Sequence, residues 1–318
     1  MNELIVRQPG WQSTIQDGGR SGYFRQGLSE GGALDEHAYR WANKLLENDA
    51  NAACIEILLG NFEAEIGADA VIAITGADIP LTLNGQALDL WCSHRVQRGD
   101  VIRFGQARSG LRAYLGVAGG WQTPTHFGSR SVVMREQLGG LDGGPLKKGD
   151  RLTCIPVTGQ ALRCVPWAHR PDYRKPLTVK VIPGYQYDQF SVLARRTFET
   201  ADYKISNDIN RMGYKLSGPA VAAQSRKLAS EGIAYGAIQI PPDGQPIVLL
   251  KDRQTIGGYP KIGCVASLDC ARLSQCSPGN VVNFEFTNVE RVQAERRLFD
   301  RFFNLSQWVD DNRNIAWP

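Results

Sequence analysis

No apolar run in the sequence approaches the roughly 18–20 residues that a membrane-spanning helix needs. Its opening, MNELIVRQPG, has no basic stretch followed by an apolar one, so a secretory leader is not expected and the chain reads as cytoplasmic. Dense basic clusters are missing too. The 36 Lys and Arg residues are scattered against 32 Asp and Glu, the net charge is +4, and the longest groupings are ARR at 194–196 and ERR at 295–297. A nucleic-acid stripe requires far more clustering, so neither nucleic acid nor membrane is expected as a partner.

Other absences remove whole chemistries. Neither GxGxxG nor G-x-x-x-x-G-K-[ST] occurs, so the chain carries no recognisable nucleotide cradle of its own. HExxH is missing, and the four histidines, His37, His94, His126 and His169, lie far apart in sequence. A G-x-S-x-G nucleophile elbow is not expected. Each histidine reads first as a surface or satisfied core residue; His126, within a glycine-rich stretch, is the one weighed for a site role. A Met-Lys pair, the usual setting of a biotinylated lysine, is lacking. The seven cysteines run from Cys54 to Cys276 without CxxC spacing. With no export signal, they are expected to be buried or free thiols. The six-residue recurrence of Cys264, Cys270 and Cys276 matches neither a helical face nor a metal knuckle.

What is present is glycine, 34 residues, above the usual share of about 7%, and many short strand patterns. Leu34, Ala38, Trp41, Ala42 and Leu45 fall at helical spacing and predict a helix over 34–47, with Asp35 and Glu36 at its N-terminal turn. CIEILL (54–59), FEAEI (62–66), VIAIT (71–75), RGDVIRF (98–104) and LRAYLGV (111–117) read as strands, and LTLNGQALDL (81–90) as a hairpin turning at Asn84-Gly85. Many short strands after one helix predict a closed or curled β-barrel. Residues 118–150 are glycine-rich with little periodicity, as in functional loops or linkers. The three prolines of VPWAHRPDYRKP (165–176) mark a joint. Beyond it LTVKVI (177–182), KLSG (215–218), AIQIP (237–241), PIVLL (246–250) and VVNFEF (281–286) predict more strands, with a short helix at 267–276. Val292, Phe299, Phe302 and Phe303 lie roughly on one face of a helix over 289–309. RGDVIRF and PGNVVNF share a turn-then-strand pattern, a hint of two similar barrels. The expected organisation is an N-terminal domain over 1–164, the joint 165–176, a second domain over 177–288 and a helical tail over 289–318.

Glycine-bounded polar clusters are the candidate sites. QDGGRSGYFRQGLSEGGALD (16–35) leaves Asp17, Arg20, Arg25 and Asp35 without bulky neighbours. It is either a turn followed by the helix cap Asp35 or a recognition loop in which Arg20 forks onto a planar anion. Ser129 and Arg130 in FGSRS could serve similarly or close a turn. SNDINRMGYKLSGP (206–219) supplies Asp208, Asn210 and Arg211. The run PIVLL then releases Lys251, Asp252, Arg253, Gln254 and Thr255 together, with Gly257, Gly258 and Tyr259 behind them. Such a polar burst after a core strand is either an ordinary turn or the lip of a site. Glu56, inside an apolar strand, is either solvent-facing or a buried carboxylate with a partner.

DGGRSGYFRQGLSEGGALD, LRAYLGVAGG, FGSRS, NRMGYKLSGP and GAIQIPPDGQPIVLLKDRQTIGGYPKIG together resemble the biotin-dependent carboxyltransferase-like family, in order and over nearly the whole chain. That family includes the C-type component of bacterial ATP-dependent 5-oxoprolinase, the partner protein of a sporulation-kinase inhibitor, and the carboxyltransferase domain of urea amidolyase. The resemblance implies two cyclophilin-like β-barrel domains in a mainly β fold with a few short helices. It also implies work in a complex with a B-type subunit resembling the kinase inhibitor and a separate A-type lactam-hydrolase subunit. ATP, with Mg, would act at the level of that complex, with no biotin attached to this chain, to open the lactam of 5-oxoproline to glutamate. Carboxyl transfer to urea or a similar amide with a biotinylated partner, and regulatory binding without turnover, stand as alternatives. Placed on the motif positions, the expected catalytic residues are Arg20, Asp252 and Gln254. Asp17, Asp35, Ser129, Arg130, Arg211, Gln239, Gly257, Gly258 and Tyr259 are expected to bind substrate, with the 17–35 and 252–259 loops lining one cleft.

Overall fold

A computed structural model of the chain describes residues 2–223 and 228–304. The part of the expected C-terminal helix beyond 304 lies outside the described residues. The fold is mainly β, with four α-helices among the described residues, and the chain divides into two compact units. The first comprises the N-terminal segment through Ser21 and Gly31–Arg174; the second comprises Gly22–Glu30 and Lys175–Asn304.

The first unit builds two antiparallel sheets around one core. The larger runs Trp121–Gln122, Arg151–Cys154, Asn2–Pro9, Phe62–Ile66, Val101–Phe104, Leu81–Leu83, Gln86–Ala87; the smaller runs Gln12–Gln16, Cys54–Leu58, Ser109–Val117, Ala70–Asp78, Cys92–Val96. FEAEI alternates buried and half-buried along its length, as strict apolar–polar alternation requires when one face meets a core. That core holds Leu4, Ile15, Ile55, Phe62, Ile74, Ile102, Leu115 and Trp121. The hairpin at Asn84-Gly85 turns with φ of 52° and 83°, both in the left-handed region that a two-residue primed turn needs.

Helix α1, Glu36–Leu45, starts where Asp35 accepts a side-chain hydrogen bond from Ala38 N, satisfying one orphan donor of its first turn. It buries Ala38, Trp41, Ala42 and Leu45 against the strands Ala70–Asp78 and Ser109–Val117.

The second unit is a closed seven-stranded barrel, in the order Leu177–Pro183, Lys261–Val265, Ala237–Gln239, Ile247–Leu249, Gly213–Ser217, Tyr203–Ile209, Val281–Phe286. The ring closes through a parallel pairing of Leu177–Val181 with Val282–Phe286. Helix α2, Val192–Thr200, capped by Ser191, lays Phe198 on Phe284 with ring centroids 4.2 Å apart. Helix α3 is Ser267–Leu273 and α4 is Val289–Asn304; in α4 only Phe299 is buried. A two-stranded ribbon, Glu231–Gly232 with Ile256–Gly257, forms its own sheet and does not pair into the barrel ring.

The shared turn-then-strand pattern has a structural counterpart in each unit. Gly99 and Gly279 take φ of 90° and 88°, and their amides donate to Ile66 O and Ile205 O at 2.7 and 2.8 Å. The following residues close the turn alike, Asp100 accepting from Gln97 N and Asn280 from Ser277 N.

One expectation needs correction. Cys92 and Cys164 are not free thiols but a disulfide; the other five cysteines are free. Residues 163–165 run antiparallel beside 91–93, so two positions 72 residues apart in sequence become direct neighbours. The proline-rich stretch 165–176 is tied to the first unit through Tyr173. Val165 N donates to Trp91 O at 2.8 Å, Arg170 donates to Val165 O and Leu90 O, and Tyr173 Oη donates to Asp35 Oδ2 at 2.7 Å. The division between units falls after Arg174.

Candidate functional site

Four of the expected site residues of the first unit form one closed network. Asp17, 2% exposed, receives Gly19 N, Ser129 Oγ and Ser131 Oγ on Oδ1 and Arg130 N on Oδ2, at 2.6–2.8 Å. Three donors on Oδ1 and one on Oδ2 use most of the acceptor capacity of that carboxylate. Arg20 is equally buried and donates from Nη2 to Ser131 O at 2.6 Å. Arg130 Nη2 reaches Gln122 Oε1 at 2.9 Å. These side chains bind the 16–20 turn to the 129–131 turn. Asp35 is likewise occupied, capping α1 and accepting from Tyr173.

Glu56 is the buried, partnered carboxylate of the two alternatives. Its Oε2 accepts from Tyr114 Oη at 2.8 Å and Leu34 N at 3.0 Å, and Arg112 Nε lies 3.6 Å from Oε1. Burial, then the neighbouring Glu56 and Asp35 carboxylates, holds the Tyr114 hydroxyl well above its ordinary pKa, so it remains a donor.

Arg20 belongs to the first unit, whereas Asp252 and Gln254 belong to the second, as do Arg211, Gln239, Gly257, Gly258 and Tyr259. Asp252 is held by Arg211, Nε to Oδ2 at 2.8 Å and Nη2 to Oδ1 at 3.0 Å. Arg253, which follows, is 3% exposed. It donates to Ile233 O and to both carboxylate oxygens of Glu30 and lies over the Phe24 ring, while its own carbonyl accepts from Ser29 Oγ. GLSEG at 27–31 has the spelling G-x-S-x-G, yet a short 3-10 turn, Phe24–Gln26, precedes it and Ser29 is buried on a carbonyl. It is a fastening, not a nucleophile elbow.

The less committed polar groups gather where the ribbon meets the barrel. Gln239 and Lys261 are cross-strand partners, so their side chains leave the sheet on one face. The ribbon lies over that face: Ile233 packs with Ala237, Ile247 and Leu249. Gln239 is 3% exposed, and its Nε2 has no hydrogen-bond partner among the described residues. Gly257 admits it closely, since a Cβ there would stand 2.8 Å from Gln239 Nε2 and 3.3 Å from Gln254 Nε2. Two amide nitrogens therefore converge beside one glycine.

Lys261 is nearly buried and pairs with Glu231. Glu231 also accepts from Tyr185 Oη and, at 2.8 Å, from Gln186 Nε2; Gln186 Oε1 accepts from Lys261 N at 2.7 Å. Three donors leave Glu231 about one acceptor position. An ammonium, two amide donors and a partly open carboxylate can jointly hold a planar amide by its carbonyl oxygen and its N–H. Tyr259 is exposed, and Gly258 O accepts from Leu228 N. Lys261, Glu231 and Gln186 escaped the sequence reading. The one available signal was a lysine inside the apolar strand KIGCV.

A family model described as the carboxyltransferase domain, subdomains A and B, matches residues 26–286. The chain is 35% identical to the C-type component of 5-oxoprolinase from Escherichia coli K12, over 98% of this chain and the whole of that one. It is 30% identical to the Haemophilus influenzae protein of the same name, over 95% and 97%. The crystal structure of Kluyveromyces lactis urea amidolyase superposes with a TM-score of 0.90 at 25% identity, over 96% of this chain. There the chain spans a fifth of the larger protein's length.

Proposed function

The chain belongs to the family of carboxyltransferase domains with subdomains A and B, and on that footing we propose that it works as one subunit of an ATP-dependent 5-oxoprolinase. The name of its bacterial relatives, matched end to end, supports this reading. The observation that carries it is the buried Gln239 amide, unpartnered among the described residues, beside Gln254 and Lys261. A buried donor left without a partner costs about 1–3 kcal/mol, a cost that a bound carbonyl oxygen removes.

In this reading the second unit holds the lactam. Gln239 and Gln254 donate to the ring carbonyl oxygen, Lys261 balances negative charge as it grows there, and Glu231 accepts the ring N–H. Donors fixed before reaction stabilise developing charge without reorganising. Among the described residues no group of three or more His, Cys, Asp or Glu could hold a metal ion. In this reading ATP coupling is the work of the whole complex, formed with an A-type and a B-type partner subunit.

An amide-donor pair also fits the ureido carbonyl of biotin or urea itself, which keeps carboxyl transfer as the second reading. Reconstitution with the candidate partner subunits decides between them. The expected result is glutamate release dependent on ATP, 5-oxoproline and this chain, falling about 10²–10³-fold in Gln239→Leu. Carbon dioxide transfer from carboxybiotin without lactam opening, or full activity in Gln239→Leu, would overturn the reading.

A further inference from the structure

We propose that Cys92–Cys164 is a thiol–disulfide exchange site, opened by a thiol reductant that attacks Cys164 and expels Cys92. The two sulfurs are unlike. Cys164 is exposed, whereas Cys92 is 3% exposed. A thiolate arriving from solvent therefore reaches residue 164 before residue 92.

The leaving sulfur is also provided for. Arg170 Nη2 lies 3.9 Å from Cys92 Sγ. Its guanidinium is held there by Nε donating to Val165 O at 2.8 Å and Nη1 to Leu90 O at 3.3 Å. A fixed positive charge beside a sulfur favours its thiolate, and a better leaving thiolate speeds exchange. Among the other cysteines, Cys54, Cys154, Cys270 and Cys276 are buried, and burial pushes the Cys264 thiol up to about 11. Exchange is thus directed to one pair.

The step balances. The reductant's thiolate forms a sulfur–sulfur bond to Cys164, the Cys164–Cys92 bond breaks, and the electron pair leaves on Cys92 as thiolate beside Arg170. A second thiol then displaces Cys164, so two electrons reduce the pair and the reductant is left as its disulfide. What the bond holds is the run before the unit boundary. Residues 155–159, 161 and 162 are exposed, and beside the bridge the run meets strand Cys92–Val96 through Ser93 N to Arg163 O, Arg163 N to Ser93 Oγ and Arg95 Nη2 to Gln160 O. That strand is the edge of its sheet, so loosening the run uncovers backbone groups able to pair with another chain.

The test uses the full-length native protein in glutathione buffers stepped from oxidising to reducing, quenched by alkylation and mapped by mass spectrometry. The expected result is reduction of this pair within that series, a transient glutathione adduct on Cys164, and faster proteolysis within 155–164. Arg170→Gln should slow the opening about three- to tenfold. An adduct found on Cys92, or a pair that opens only in denaturant, would overturn the proposal whether or not the variant folds.

Discussion

Arg211 grips Asp252 through two hydrogen bonds, of 2.8 and 3.0 Å, with both side chains 6% exposed. Each of the pair is the other's main compensation for leaving water. Asp252→Asn keeps the shape but leaves the guanidinium without its counter-charge, and removing one member of a buried pair costs about 3–5 kcal/mol. Urea denaturation should show that loss. The paired change Arg211→Met with Asp252→Leu should recover most of it. A single variant as stable as the parent would mean that the pair is not a brace.

Gly257 sits where a methyl group would press on Ile233 Cδ1 at 2.6 Å and Gln239 Nε2 at 2.8 Å. Gly257→Ala should cost about 1–3 kcal/mol by overpacking. It should also lower activity of the reconstituted complex by displacing the Gln239 amide. Unchanged turnover alongside the stability loss would remove that amide from the site.

Arg253 fastens the 22–30 segment within the second unit through Glu30, Ser29 and Phe24. Arg253→Met retains much of the apolar stem but loses the forked donors. Hydrogen exchange should then accelerate across residues 22–30 while the barrel strands keep their protection. Equal exchange in both proteins would show that the segment is held by other contacts.

His37 accepts from Trp41 Nε1 at 3.1 Å and lies by Trp91. Burial, with the nearby His169 adding to it, lowers the His37 pKa from 6.5 to about 3. Its folded pKa is depressed, so the unfolded chain takes up the proton first as pH falls. The stability due to neutral His37 is complete above about 6.5 and declines towards pH 3, by at most about 1.4 kcal/mol per pH unit. In His37→Gln the slope of unfolding free energy against pH between 6 and 4 should flatten by up to one proton. An unchanged slope would place the titration elsewhere.

Much of the first unit was legible because its signals are local. Asp35 caps α1, Asn84-Gly85 turns a hairpin, and FEAEI alternates as written. Strand Asn2–Pro9, strand Cys92–Val96 and helix α2 were missed. CSHRV, for example, has no alternation to read, and its pairing with Ala70–Ile74 supplies what its composition lacks.

For the candidate site, the motif DRQTIGGYPKIG marked a polar stretch without assigning the role of its members. Sequence cannot show that Asp252 is spent on Arg211, 41 positions away, while Gln239 has no partner among the described residues. Nor can it show that Glu231 and Gln186 close on Lys261.

The sequence by itself determined the strand-rich class, the main turns and caps, and the family, because these depend on periodicity, backbone freedom and ordered motifs. Tertiary structure alone decided which charged side chain braces and which donor stays open, and that Cys92 meets Cys164. Those outcomes depend on burial and on pairings between distant segments, which only the closed barrel and the aligned sheet edge create.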